Sequence, residues 1–386
     1  MEKKQIRKAK LVLEDGGEFS GWSFGKARSQ AGEVVFNTGM TGYTLSLTDP
    51  SLRGQILVAT YPLQGNGGVP VKKNGEYFFD EQGLPVDFES DRIQAAGFIV
   101  SELCEQPSHY SSGSTLSAWM EKGNTPGIYG IDTRSLAIRL RERGVMRGKI
   151  LVEGSRDVTF DSAESSNLVA DVSCAEIQTF VPAGGPAGGP TGGPVGGKSK
   201  RLKIALIDCG VKGAILRRLL ERNVEVIRLP WNHDLKDIAF DGLVISNGPG
   251  DPKDCGKTIA TVRKAFTLGK PVFGIALGNL IMALAAGADT RKLPLGHRGQ
   301  NQPCLESDTG RCYITAQNHG YTVRGETLPQ GWEPFFINAN DGTVEGIRSV
   351  KKPFSAVQFH PEGSPGPRDT EFLFDRFIDQ IKEAKK

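Results

Sequence analysis

The sequence predicts an α/β protein, with a first half of mixed character joined to a second half built as a doubly wound sheet. Three observations carry this. Beyond residue 201, short apolar runs alternate with amphipathic helical segments, the pattern of βαβ units. Residues 183–197 read AGGPAGGPTGGPVGG, a repeat with no side chains to pack, which marks a linker. Residues 271–288, PVFGIALGNLIMALAAGA, read as a short buried strand, a tight glycine turn and a helix. The expected division is therefore one domain over 1–180, a linker over 181–200 and a second domain over 201–386.

In the first domain, KLVLEDGGEFSG (10–21) reads as a hairpin and GEVVFNTGMTGY (32–43) alternates as a strand does. TRSLAIRLRERG (133–144) reads as a basic helix stopped by Gly144. In the second, LKIALID (202–208), VEVIRL (224–229), DGLVISN (241–247), PVFGI and FSAVQFH (354–360) read as strands. VKGAILRRLLERN (211–223), KTIATVRKAFTLG (257–269), LIMALAAGA and DTEFLFDRFIDQIKEA (369–384) read as helices.

Bulk numbers narrow the function class. The chain has 386 residues, 38% hydrophobic and 24% charged, ordinary for a soluble globular protein. A net charge of +3 does not suggest nucleic acid as the main partner. The six cysteines form no C-x-x-C pair and no zinc spacing, so they read as reduced thiols in a cytoplasmic protein without a metal site. The N-terminus, charged from residue 2, has no apolar signal region. Residues 271–288 are long enough to raise a membrane span, but Pro271, Gly274, Gly278, Asn279 and Gly287 interrupt them. GGPVGGKS (192–199) matches a phosphate-binding loop pattern. It follows Gly/Pro repeat rather than a strand and precedes no helix, so ATP chemistry on this chain has no support.

The remaining signals converge on one site. A strand, a G-x-Nuc-x-G turn and a helix form a nucleophile elbow, which lifts one side chain to the sheet's carboxyl edge. Here that position is Ala276, and the Leu277 N–H would face a developing oxyanion. SNGPGDP (246–252) ends another strand, with Gly248 and Gly250 exposing backbone N–H groups. QFHPEGSPGP (358–367) ends a third and sets His360 two residues from Glu362, the spacing of a base and its orienting carboxylate. His360 is also consistent with a buried packing histidine, and Asn318-His319-Gly320 with a plain turn. Ser51, after Asp49-Pro50, is equally a turn or helix cap. Cys209, ending LIDC, is the one stand-in nucleophile worth weighing, but no elbow surrounds it.

SNGPGDP, GIALG and FHPE, in this order and spacing, resemble the class I (triad) glutamine amidotransferases. GEVVFNTGMTGY, LTDPSLRGQI, YGIDTR, GHRGQNQP, ITAQNHGY and AVQFHPEGSPGPRDTEFLFDRF are similar to the small, glutamine-hydrolysing subunit of carbamoyl phosphate synthetase. The resemblance covers nearly the whole chain outside the linker. It implies a small-subunit domain followed by a class I glutamine amidotransferase domain. It also implies a heterodimer with a large subunit that holds ATP and magnesium, no cofactor on this chain, and no nucleic-acid or membrane partner. By the same resemblance the nucleophile position falls on Ala276 and the other two triad positions on His360 and Glu362. The L-glutamine contacts fall on Ser51, Gly248, Gly250, Leu277, Leu280, Asn318, Gly320 and Tyr321.

Three residues depart from the family's pattern: Ala276 stands for cysteine, Asn279 for a frequent histidine, and Leu280 for a substrate-binding glutamine. A methyl group forms no thioester, so the chain as written is expected not to hydrolyse glutamine. GNLI followed by LAAGA also resembles ammonia-dependent carbamoyl phosphate synthetases, which lack the cysteine. The alternative is therefore a non-catalytic subunit that stabilises or regulates a synthetase using free ammonia. An esterase of the α/β-hydrolase type fits the elbow but not its companions. The resemblance leaves open whether arginine or pyrimidine synthesis uses the product.

Overall fold

Strand pairing in the first half closes on itself, which removes exposed sheet edges. The computed structural model describes residues 6–160, 167–182 and 201–386. Most of the expected linker over 181–200, including the phosphate-loop look-alike at 192–199, lies outside the described residues. The chain forms two compact units. One comprises Met1–Phe78, Pro85–Leu168 and Lys292–Asn301; the other comprises Phe79–Leu84, Val169–Arg291 and Gln302–Lys386.

In the first unit, β1 (Lys8–Leu13) and β2 (Glu18–Gly25) form the expected hairpin, with Lys8 opposite Trp22 and Val12 opposite Glu18. β3 (Gln30–Asn37), α1 (Tyr43–Thr48), β4 (Gln55–Ala59), β5 (Leu63–Gln64), β6 (Gly97–Ile99), β7 (Glu102–Leu103), α2 (Leu116–Lys122), β8 (Pro126–Tyr129), α3 (Thr133–Arg143) and β9 (Met146–Val152) follow. The strand expected over 32–43 stops at Asn37. There the Asn37 side chain accepts from the Gly39 N–H at 2.6 Å and turns the chain. The barrel order is β1-β2-β8-β6-β4-β3-β9, while β5 and β7 pair separately. Leu11, Leu13, Val34, Ile56, Val58, Ile99, Ile128 and Ile150 are fully buried in one cluster, which the period-2 burial of β1 and β9 predicts.

The second unit is a ten-stranded sheet. A short helix, α4 (Leu168–Val172), leads into β10 (Gln178–Phe180), which precedes the linker in sequence yet pairs with β12. β11 (Lys203–Asp208), α5 (Gly213–Leu220), β12 (Glu225–Pro230), β13 (Gly242–Ile245), α6 (Gly256–Thr267), β14 (Val272–Ile275) and α7 (Leu277–Ala286) follow. An antiparallel stretch adds β15 (Thr290–Glu306), whose residues 292–301 are counted with the first unit, then β16 (Cys312–Val323), β17 (Trp332–Asn338) and β18 (Val344–Ser349) before β19 (Phe354–Val357) and α8 (Phe372–Ala384). The parallel ladder runs β12-β11-β13-β14-β19. β13 and β14 are buried at every residue, because helices cover both faces. The strand expected over 354–360 ends at Val357. Beyond it the Gln358 N–H donates to the Glu345 carbonyl at 2.7 Å and the His360 N–H to the Ala316 carbonyl at 2.9 Å, drawing the chain off the β14 ladder.

Leu206, fully buried at the centre of β11, packs with Ile215 of α5 and Phe377 of α8. Leu206→Ala is expected to cost about 3 kcal/mol in urea unfolding, with an unchanged m-value.

Candidate active site

The sheet order places a crevice. β12 lies on one side of β11 and β13 on the other, so the direction of progression reverses at β11. At such a switch point the loops after the two strands diverge and leave room beyond the carboxyl ends. The loops after β11, β13, β14 and β19 all leave from that edge.

The β14–α7 turn is the sharpest of these. Ala276 takes φ 52° and ψ −106°, backbone that a residue with a Cβ rarely adopts, at a cost of about 1–3 kcal/mol. Its N–H donates to the Val357 carbonyl at 2.8 Å, and its carbonyl accepts from the Asn279 N–H at 3.0 Å. The flanking glycines make the turn possible. A Cβ on Gly278 would strike the Ile245 carbonyl oxygen, and one on Gly274 would sit 2.7 Å from the Gly278 carbonyl oxygen. Leu277 opens α7, so its N–H is one of the first-turn donors without an acceptor inside the helix, at the positive end of the dipole.

His360 and Glu362 meet beside it. His360 Nδ1 lies 2.7 Å from Glu362 Oε1, and both residues are buried. A lysine, invisible to motif reading, completes the group. Lys212 donates from Nζ to the same Glu362 Oε1 at 2.8 Å and also to the Ser364 carbonyl oxygen. Lys212 is 2% exposed and Glu362 is 0% exposed. Burial resists ionisation of Glu362 and is the largest single influence. The Lys212 and His360 charges, with their hydrogen bonds, outweigh it and bring the carboxyl down to about 2. His360 Nε2 has no hydrogen-bond partner among the described residues. A histidine with one nitrogen fixed by a buried carboxylate and the other open can take and return a proton.

The other expected site residues divide. Gly248 and Gly250 lie in the loop after β13, where Asn247 Oδ1 accepts from the Lys212 N–H at 3.1 Å. Asn318, Gly320 and Tyr321 are half-buried on β16, the strand that bridges to His360 through Ala316. Leu277 and Leu280 are each 3% exposed in the apolar cluster that includes Cys209 and Ile281. Position 280 thus offers no polar atom. Asn279, fully buried, donates from Nδ2 to Gln358 Oε1 at 2.9 Å. Ser51 belongs to the first unit, buried inside a 3-10 turn whose cap is Asp49, the Asp49 Oδ1 accepting from the Ser51 N–H at 2.9 Å; of the two plain readings, Ser51 is the turn residue and not the cap. Cys209 is fully buried, and burial first, then Cys255 and Asp208, hold its thiol well above the ordinary range. It is unsuited to act as a nucleophile. No helix among the described residues is long and apolar enough to cross a membrane.

Residues 11–150 match the family model described as Carbamoyl-phosphate synthase small chain, CPSase domain. Residues 205–380 match Glutamine amidotransferase class-I. The chain is 46% identical over 386 residues to Multifunctional protein pyr1-3 of Dictyostelium discoideum, covering 97% of this chain and 17% of that protein. It is 46% identical over 404 residues to Multifunctional protein URA2 of Saccharomyces cerevisiae, covering 100% and 18%. It is 44% identical over 379 residues to the Homo sapiens carbamoyl-phosphate synthase (ammonia), mitochondrial, covering 98% and 24%. The chain therefore spans about a fifth of these relatives' length.

Two expectations follow from the geometry. Ala276→Gly relieves the backbone strain and is expected to raise stability by about 1 kcal/mol in thermal unfolding, whereas Gly278→Ala lowers it. Glu362 ionises more readily when folded than the 4.5 of a free carboxyl. Its stabilising contribution is therefore complete above about pH 5 and lost as pH falls toward 2, amounting to about 3 kcal/mol. Urea unfolding between these limits is expected to show that acid slope, and Glu362→Gln to lack it.

Proposed function

Because the chain belongs to the carbamoyl-phosphate synthase small-chain family, with a class-I glutamine amidotransferase domain as its second half, we propose that it is the small subunit of a carbamoyl phosphate synthetase. Its site is of the kind that hydrolyses L-glutamine and supplies ammonia to an ATP- and magnesium-using large subunit. The observation that carries this reading is the buried His360–Glu362 pair at the same sheet edge as the elbow at 276.

With cysteine at 276, the thiolate attacks the side-chain amide carbon of glutamine. The developing oxyanion lies against the Leu277 and Gly248 N–H groups. His360 protonates the departing nitrogen, ammonia leaves, and water, activated by the same histidine, releases glutamate from the thioester. Glu362 fixes the imidazole so that Nε2 faces the reaction. Asn318, Gly320 and Tyr321 on β16, and Gly250, are the assigned glutamine contacts within the second unit. Ala276 removes the first step, and loss of such a nucleophile costs on the order of a millionfold in rate. The chain as written is thus glutaminase-inactive.

A second reading has its own support. Leu280 is committed to the apolar cluster, and Asn279 is locked to Gln358. Both are buried, with Leu280 fitting its apolar surroundings, while Asn279 Oδ1 and Gln358 Nε2 have no hydrogen-bond partner among the described residues. The similarity to a synthase named for ammonia agrees with it. In this reading the subunit stabilises or regulates a large subunit that takes free ammonia.

Restoring the thiol separates the two. With the large synthetase chain present, Ala276→Cys is expected to release ammonia from glutamine at least about a hundredfold faster than the unaltered chain. Activity that stays at background, even with Leu280→Gln added, establishes the ammonia-dependent reading instead.

A further inference from the structure

The barrel of the first unit carries a cavity that the glutamine chemistry does not use. About 620 Å³ opens on its outer face over β1, where that strand lies between β2 and β9. Strand alternation dictates what faces it. Ala9 and Leu11 are buried in the barrel's apolar cluster, so Lys8 and Lys10 point outward. The register sets Lys8 opposite Trp22 and Lys10 opposite Ser20 on one side. On the other side Lys10 stands opposite Leu151. The volume falls within the range of small-molecule sites, about 300–1,000 Å³.

Singly exposed apolar side chains are ordinary on a protein surface. Here the exposed ring forms the wall of a concavity and has charged neighbours. Trp22 is 41% exposed, a large flat face at the rim of the barrel. Gly130, at the end of β8, keeps one flank of the indole clear. It takes φ 80°, and a Cβ there would sit 3.5 Å from Trp22 Cδ1. Leu151 and the stem of Lys10 give the cavity an apolar side.

The charges are divided unequally. The Lys10 ammonium is taken by Glu18 at 3.0 Å. The Lys8 ammonium has no partner among the described residues, although the Lys8 backbone N–H donates to Glu153 Oε2 at 3.3 Å. Glu153 lines the cavity too, with its Oε1 unpartnered among the described residues. A neutral apolar guest would cover the indole but answer neither Lys8 nor Glu153. We propose that this cavity binds a planar aromatic ring carrying an anionic group and an N–H donor. The ring stacks on Trp22, the anion meets the Lys8 ammonium, and the donor meets Glu153. An aromatic amino acid, with its carboxylate and ammonium, has this chemistry. So does a nucleoside monophosphate with an amino-bearing base. None of the residues involved belongs to the crevice beyond β11, so the ligand is not a reactant of the chemistry proposed there.

The test uses the full chain with nitrogen-15 in its tryptophan indoles, and follows the N–H signals of Trp22, Trp119, Trp231 and Trp332 by NMR. One arm is titrated with adenosine 5′-monophosphate and the other with L-phenylalanine. Trp22→Phe identifies the Trp22 signal by its loss. In at least one arm the Trp22 signal is expected to move and saturate while the other three stay in place. Saturation by the nucleotide alone assigns the site to a phosphorylated ligand, and by phenylalanine alone to an amino acid. Equilibrium dialysis of the bound probe, labelled with carbon-14, then reads the variants. Trp22→Ala and Lys8→Glu are each expected to weaken binding at least about tenfold, the scale of one lost stacking or charge contact. Trp22→Phe and Lys8→Arg are expected to stay within about threefold of the unaltered chain. Should Trp22→Ala fail to fold, Lys8→Glu, a change at an exposed side chain, carries the test. Three results overturn the proposal: no saturation by either probe up to about 5 mM, equal movement of all four indole signals, or binding untouched by Lys8→Glu.

Discussion

The second unit's site depends on one backbone turn that no ordinary sequence can make. Between β14 and α7 the chain reverses within a single residue, Ala276, held at a positive φ. The packing of Gly278 against the Ile245 carbonyl and of Gly274 against Gly278 leaves no room for side chains on either flank. The strain at 276 is maintained because β13, β14 and β19 are fixed on both faces by helices. Those strands in turn fix where the loops bearing Gly248 and His360 begin. A relaxed turn would lower the local cost, but it would also withdraw the residue at 276 from the crevice and move the Leu277 N–H.

Much of this was legible in the sequence. The strand–turn–helix of 271–288 and the alternation through 202–269 fixed their elements to within a few residues, because buried parallel strands and amphipathic helices leave strong periodic signals. His360 and Glu362 were legible as a pair for the same reason: they are two residues apart on one loop. Lys212 was not. It lies 150 residues from its partner, inside the apolar context CGVKGAI, where local pattern says only that a helix begins. The antiparallel stretch from β15 to β18 was missed as well, since segments such as GHRGQNQP are polar on both faces and carry no period-2 contrast. The first unit's barrel was only partly read: β4, β6 and β8 are short and look like ordinary apolar fragments until their neighbours close around them.

The electrostatics of the crevice make the alanine at 276 more informative. A decayed site would be expected to lose its buried charges early, since an unpaired ion in the interior costs several kcal/mol. Here Lys212, Glu362 and His360 remain mutually satisfied, with only His360 Nε2 and Glu362 Oε2 left open among the described residues. Against this, Leu280 fits the apolar cluster, and Asn279 holds Gln358 through Nδ2 while its own Oδ1 has no partner among the described residues. The charged half of the site is thus internally paired, while the first turn of α7 is apolar apart from Asn279.

In the proposed function, position 276 is the seat of the nucleophile and no other residue takes its place. The most direct measurement incubates the unaltered chain, together with the large synthetase chain, with L-glutamine labelled with nitrogen-15 at its amide. Labelled ammonia is then followed by NMR. Release no faster than in a control without the protein is expected. Release at an enzymatic rate would contradict it and would mean that another group in the crevice attacks the amide.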